Sequence, residues 1–368
     1  MGNEGASTPD EQRVGEMAQY TTDGKVTHLS LDEPVDRKLT KIIGPRFAEY
    51  RKRWNAANSF ELETDFPLFL HIELAQVCNL RCPMCTQGIP ELRKKYITKE
   101  RLGWEAYTKI ILEGEEYGCP STSPQGTEEP LLDPDLERYI RFAADHGYLD
   151  IMMNTNATLL TEERSRTMLD AGLTRLRFSL DAATKETYER VRLGGKYDVT
   201  HRNIERFLEL KRQRGYVLPL TGVSFCKMSV NEHEEELFIK KWEHLVDFVT
   251  IQEFIPPDTE GDYSSFYPSR SKLRDDMEFE FHCVQPWQRV LVRSTGDVTP
   301  CCAMFSQDLS LGKVGEHTIH ELWNGPKMRE LREIHKAGQY ARNEVCLKCV
   351  KSIIRPNLTR GSTASLPI

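Results

Sequence analysis

Hydrophobic positions change their spacing along this chain. Over about 37–57, Ile43, Phe47, Tyr50 and Trp54 fall at helical intervals and make one apolar face, which predicts a single helix packed on the main body. From residue 67 onward, short apolar runs alternate with longer amphipathic stretches. The runs at 68–74, 121–125, 151–154, 175–180, 218–225 and 248–254 read as strands. The stretches at about 104–117, 135–147, 161–171, 198–214 and 232–246 read as helices. Strands alternating with helices imply a parallel sheet with right-handed crossovers. The predicted fold class is α/β, a partial (β/α)6 TIM-like barrel followed by a small cysteine-rich domain. Functional groups then belong at the C-terminal strand ends, where the βα loops converge.

The remaining segments divide as follows. Residues 1–65 are an N-terminal extension, polar and disordered over 1–20 and then helical. The barrel spans 66–258, a turn-rich connector 259–280, the small domain 281–355 and an irregular tail 356–368. In the small domain, Pro286 to Val292 reads as a hairpin strand, and Glu321 to Leu331 as a helix packed on it.

Composition narrows the function classes. Charged residues make 29% of the 368 and hydrophobic ones 39%, the balance of a globular protein. The net charge of −7 argues against a nucleic-acid partner, which favours a basic face. No run of 18 apolar residues occurs, so no membrane span is expected. The N-terminus has no apolar signal core, which points to the cytoplasm, where ten cysteines are not expected to pair as disulfides.

Three of those cysteines stand together, in Cys78-Asn-Leu-Arg-Cys82-Pro-Met-Cys85, in the loop after the first strand. Iron–sulfur clusters are normally held by four cysteines. Three would leave one iron open to a further ligand, as catalytic metal sites keep an open position. A zinc site or buried free thiols is the plainer alternative.

The spacing, three residues and then two, resembles that of the radical S-adenosylmethionine (SAM) superfamily, as does the position after the first strand. The resemblance covers roughly 66–255. It implies a [4Fe–4S] cluster on Cys78, Cys82 and Cys85 that binds SAM and cleaves it reductively to a 5′-deoxyadenosyl radical. Gly126-Thr127-Glu128-Glu129-Pro130 is similar to the superfamily's Gly-Gly-Glu-Pro segment, which holds the methionine amino group of SAM. Glu128 departs from the expected glycine and would crowd the methionine or face the substrate. Asn154 and Asn156 end the third strand as in relatives. Ser179 and Asp181 share one side of the fourth strand end and match the ribose-binding position, although Asp181 could equally cap the helix that follows. Arg192, just before Gly194, resembles an arginine that pairs with the SAM carboxylate, or is a solvated helix-end residue.

Cys283, Cys301, Cys346 and Cys349 form a second set, suited on spacing alone to a fully ligated cluster or to zinc. The opening Cys…Gly-x4-Cys resembles the SPASM family. With four cysteines rather than seven, it resembles the shortened, twitch-type domain, which implies one auxiliary [4Fe–4S] cluster. Cys302 is a neighbour that could replace Cys301.

By this resemblance the radical removes a substrate hydrogen atom. The auxiliary cluster then accepts an electron, so that an alcohol of a sugar or aminocyclitol is oxidised. Epimerisation of a sugar or peptide is the alternative, with Cys226 near the end of the fifth strand as hydrogen-atom donor; a buried apolar thiol is the plain reading of that residue. Peptide modification is a third reading, and a non-enzymatic metal-binding module the reading from another class. The expected partners are a small-molecule substrate and an external electron donor such as flavodoxin or ferredoxin.

Overall fold

The computed structural model describes residues 18–22, 26–30, 33–269 and 281–352. The first seventeen residues, the end of the expected connector and the expected tail lie outside the described residues.

Six parallel strands form the centre. They are β3 (Phe69–Ile72), β4 (Ser121–Ser123), β5 (Asp150–Thr155), β6 (Arg175–Ser179), β7 (Leu220–Lys227) and β8 (Phe248–Glu253). Each pairs in parallel with its successor, and helices cross between them. The expected strands therefore appear in order, trimmed by a few residues. The sheet is open rather than closed. At one edge β1 (Ala18–Thr22) and β2 (Val26–Ser30) form a hairpin whose β2 runs antiparallel to β8. At the other edge β9 (Arg289–Val292) runs parallel to β3, and β10 (Asp297–Thr299) and β11 (Gly312–Lys313) follow antiparallel. One eleven-stranded sheet thus runs through the barrel and the small domain.

Period-two alternation decides which residues reach the interior. Along β6 the half-buried Arg175, Arg177 and Ser179 alternate with buried Leu176 and Phe178. Phe178 packs edge-on against Phe207 of the helix Tyr197–Gln213, their centroids 5.8 Å apart. Burying one such ring is worth about 1.5–3 kcal/mol. The helix-facing sides are therefore apolar, while the inner sides are free to carry polar chemistry.

The sheet edges and the helix breaks differ from expectation. The region expected as disordered chain and one helix contributes β1 and β2, then two helices, Val35–Ile43 and Pro45–Asn58. They part at Gly44, whose φ is 92°, because the residue before a proline avoids the helical region. Their faces, Leu39, Phe47 and Tyr50, pack on Leu68, Leu220, Phe248 and Trp287 and cover the end of the barrel where the strands begin. The expected helix around 321–331 is likewise two, Ile319–Trp323 and Pro326–Lys336, with Pro326 opening the second. The hairpin strand begins only at Arg289, after a helical turn Gln285–Gln288.

Candidate cluster and cofactor sites

A cavity of about 500 Å3 opens at the C-terminal ends of the central strands. It is lined by Cys78, Cys82 and Cys85, by Gly126, Thr127, Glu128 and Glu129, by Asn154 and Asn156, and by Ser179, Asp181, Arg192 and Cys226. Pro130 lies outside the wall, buried at the start of a short turn. Strand ends and loops from five different βα units thus converge on one space.

The cysteine loop is tightly wound. The Cys85 N–H donates to Cys82 O at 3.0 Å and the Gly88 N–H to Cys85 O at 2.8 Å. A side chain at Gly88 would collide with the Cys82 carbonyl, so the turn requires glycine there. Nitrogens approach two sulfurs: the Leu80 N–H at 3.4 Å and Asn156 Nδ2 at 4.0 Å from Cys78 Sγ, and Arg192 Nη1 at 3.9 Å from Cys82 Sγ. Burial pushes the Cys82 thiol up to about 12 and raises Cys78 and Cys85 in the same direction.

Glu129 is fully engaged. Its carboxylate accepts from Thr155 Oγ1 at 2.5 Å, the Asn156 N–H at 2.6 Å and the Leu131 N–H at 3.2 Å. Glu128 folds back onto backbone, accepting from the Gly126 N–H at 2.6 Å and the Leu74 N–H at 3.2 Å. Burial and then the neighbouring Glu73 carboxylate hold Glu128 well above the usual carboxylate range. A side chain at Gly126 would overlap Glu73, so that glycine is fixed by a close approach.

Asp181 does not cap a helix; Thr184 caps the helix Lys185–Val191. Asp181 sits at φ 60° and is almost fully buried. It accepts from the Cys226 N–H at 2.8 Å and pairs with Arg192 Nη2 at 2.5 Å. Burial pushes the Asp181 carboxyl up, and Arg192 opposes that. Arg192 is no solvated helix end: its guanidinium is buried between Asp181 and Cys82. Non-glycine residues in this backbone region cluster at functional sites.

The second cysteine set surrounds a smaller pocket of about 40 Å3. Cys283, Cys301, Cys346 and Cys349 line it together with Pro286, Leu309 and Leu331. Cys302 is exposed and lines the large cavity instead. His335 Nε2 lies 3.2 Å from Cys346 Sγ, and burial lowers the histidine to about 4, a neutral ring. Burial raises Cys283 and Cys346 to about 12.

A buried network that the sequence reading missed joins the two sites. Glu73, fully buried, accepts from Thr127 Oγ1 at 2.8 Å and the Thr127 N–H at 3.1 Å on the barrel side, and from the Ser294 N–H at 3.2 Å on the small-domain side. Arg293 Nη1 lies 3.7 Å from Glu73, and its Nη2 donates to Ala303 O and Ser306 Oγ, each at 3.0 Å. Ser306 Oγ in turn donates to Cys301 O at 2.9 Å.

Comparisons with known proteins agree with this geometry. Residues 72–223 match the Radical SAM superfamily, and residues 283–350 match the SPASM iron–sulfur cluster-binding domain. A probable GTP 3′,8-cyclase of Methanococcus maripaludis is 29% identical over 190 residues, 51% of this chain and 59% of that protein. The chain thus spans less than two thirds of the length of the curated relatives it matches. Among solved structures, Streptococcus suis SuiB bound to precursor peptide SuiA has a TM-score of 0.57 at 15% identity, covering 84% of this chain and 74% of that one. Native anSMEcpe with bound AdoMet has a TM-score of 0.55 at 16% identity, covering 77% and 89%. At such identities the likeness is one of fold.

Fold, cavity and family matches together identify residues 72–223 as a radical SAM domain. More particularly, the chain carries a SPASM domain after it, over residues 283–350. The two domains imply a [4Fe–4S] cluster with SAM and an auxiliary iron–sulfur cluster. The residues present fit both groups. Three thiols with N–H groups aimed at two of them border a polar cavity, and four thiols border an apolar pocket.

Proposed function

We propose that the protein oxidises an alcohol of a sugar or aminocyclitol, as a radical SAM dehydrogenase. Cys78, Cys82 and Cys85 hold the SAM-binding cluster. Gly126, Thr127, Glu128 and Glu129, with Pro130 setting their turn, border the methionine of SAM. Asn154, Asn156, Ser179 and Asp181 meet its ribose, and Arg192 bridges that side to the cluster side. Bound cluster and SAM supply a 5′-deoxyadenosyl radical that takes a hydrogen atom from substrate. Cys283, Cys301, Cys346 and Cys349 hold the auxiliary cluster, and flavodoxin or ferredoxin in the cytoplasm supplies the electron that starts each cycle.

One observation carries the choice of oxidation. All four auxiliary thiols border the apolar pocket, while Cys302 faces the other way. A cluster with four protein ligands leaves no iron for substrate, which suits an electron acceptor rather than a substrate anchor. The test is anaerobic turnover of reconstituted protein with a panel of sugars, aminocyclitols and GTP, the last chosen for the named relatives. A product two hydrogens lighter, formed with one SAM consumed per turnover, supports the reading. A product of unchanged mass that carries solvent deuterium on carbon overturns it.

Such deuterium would support epimerisation, the second reading, which rests on Cys226. Its thiol lines the cavity, and burial, with Asp181, holds it protonated, the form that donates a hydrogen atom.

A further inference from the structure

The barrel contains a second cavity, of about 290 Å3, between its inner wall and the N-terminal helices. Four guanidinium groups line it: Arg51, Arg175, Arg177 and Arg289. Two are neutralised by carboxylates. Arg175 binds Asp150 through Nε at 2.9 Å and Nη2 at 2.6 Å and reaches Asp36 at 3.0 Å, while Arg51 meets Asp36 at 2.8 Å. Neither of the other two is ion-paired among the described residues, and only the more distant Asp181 carboxylate acts on Arg177. Arg177 Nε donates to Asn154 Oδ1 at 2.7 Å, and Arg289 Nη2 makes only a long bond of 3.4 Å to Gln288. A buried Nε of Arg289 has no hydrogen-bond partner at all.

Cations partly withdrawn from water without a paired carboxylate carry a desolvation cost, and an anion in the adjoining space removes it. Guanidinium forks suit carboxylate and phosphate in particular. The remaining walls are mostly apolar, with the rings of Tyr50, Trp54, Phe69 and Phe248 beside Met152 and Met153. Arg289 lies over Trp54 and Phe69, its carbon 5.3 and 5.0 Å from the ring centroids. The cavity is larger than a bare phosphate needs, and near the lower bound for organic ligands. Arg177 and Asn154 line both this cavity and the SAM-facing one, so an occupant lies one layer of side chains behind the active-site floor.

We propose that this lower cavity binds a small organic anion, an aromatic or aliphatic body with one carboxylate or phosphate. Its charge sits on Arg177 and Arg289 and its body against Trp54 and Phe69. The site is separate from the SAM pocket and does not depend on which reaction the enzyme performs.

The test uses anaerobically reconstituted protein at fixed ionic strength, titrated with benzoate, phenyl phosphate, inorganic phosphate and uncharged benzyl alcohol. Calorimetry should find saturable binding of benzoate or phenyl phosphate, one per chain, with a raised melting temperature and no displacement by saturating SAM. Arg289→Gln should weaken that binding at least tenfold, and Arg289→Lys, which keeps the charge, distinctly less. In buffer with chloride as the only anion, Arg289→Gln should melt no lower than the unmodified protein, because it removes a half-buried charge that no carboxylate pairs. Absence of saturable anion binding would overturn the proposal. So would benzyl alcohol or bare phosphate binding as tightly as phenyl phosphate, displacement by SAM, or an Arg289→Gln variant that binds undiminished.

Discussion

The two cysteine sites are built on opposite plans. The first takes three cysteines from a single loop of eight residues and sets them at the rim of a cavity with polar walls. The second gathers four cysteines from segments spread over 283–349 and turns them toward a small apolar pocket. A site with one ligand too few and a large polar space beside it is built to bind something else. Four thiols around a pocket with no such space suit a fully ligated cluster, which would hold an electron and tie segments together. This contrast makes the first the candidate for chemistry and the second for electron storage.

The sharpest way to break the comparison is to remove the first set. Replacing Cys78, Cys82 and Cys85 by Ala should abolish SAM cleavage, measured as 5′-deoxyadenosine formed under reducing, anaerobic conditions. Bound iron should fall from about eight to about four atoms per chain, one four-iron cluster having been lost. A triple variant that kept full iron and activity would sink the assignment. The same protein identifies the metal at the second site, since only that site remains. Zinc there would erase the electron-storage half of the contrast.

Loss of one auxiliary ligand should act differently. Cys283→Ala should still allow some SAM cleavage but little substrate oxidation. It should also loosen the small domain, because binding energy at a metal site contributes to folding. Limited proteolysis should then cut within 281–352 faster than within the barrel. Equal rates of cutting, with product formation unchanged, would show that this site neither stores electrons nor ties segments together.

The join between the sites predicts a third effect. Glu73 and Arg293 are each almost fully buried and hold the loop of Thr127 on one side and that of Cys301 on the other. Breaking a buried pair from one side typically costs about 3–5 kcal/mol. Arg293→Met should therefore lower the melting temperature and raise the KM for SAM, because Glu73 and Glu128 would then face each other without the cation. A variant as stable as the parent, with the same KM, would show that the sites are independent.

How far the sequence revealed this arrangement depended on distance along the chain. The strands of the barrel were legible because each carries its own alternation, and the first cysteine set because it is contiguous. The second set was legible as four thiols, but which of Cys301 and Cys302 faces the pocket depends on local backbone direction. The Glu73 network was not legible: its link to Ser294 spans 221 residues, and Glu73 looks like any acidic residue at a strand end. The hairpin of β1 and β2 left a signal, Asp23-Gly24 between two runs rich in strand formers, which polar composition outweighed. Similarly Gly44-Pro45 marked the helix break inside an otherwise continuous apolar face.

The smallest expected effect concerns the two thiols that face the large cavity from different domains. Cys226 comes from the end of β7 and Cys302 from the segment after β10. If oxidation is the reaction, neither thiol passes a hydrogen atom. Cys226→Ala should keep most activity, because the change removes one small group from a wall whose neighbours remain. Cys302→Ala should do so even more closely, since that side chain is exposed. Activity within about threefold for both, a loss of under about 0.7 kcal/mol in transition-state stabilisation, is the expected outcome. If instead a thiol returns the hydrogen atom, one variant should lose product while 5′-deoxyadenosine still forms, and the affected residue names the donor. Loss in Cys226→Ala would place the donor on the barrel wall beside Asp181, whose carboxylate accepts from the Cys226 backbone N–H. Loss in Cys302→Ala would place it on the opposite face, one residue from an auxiliary ligand, and would give the SPASM domain a part in the radical step itself.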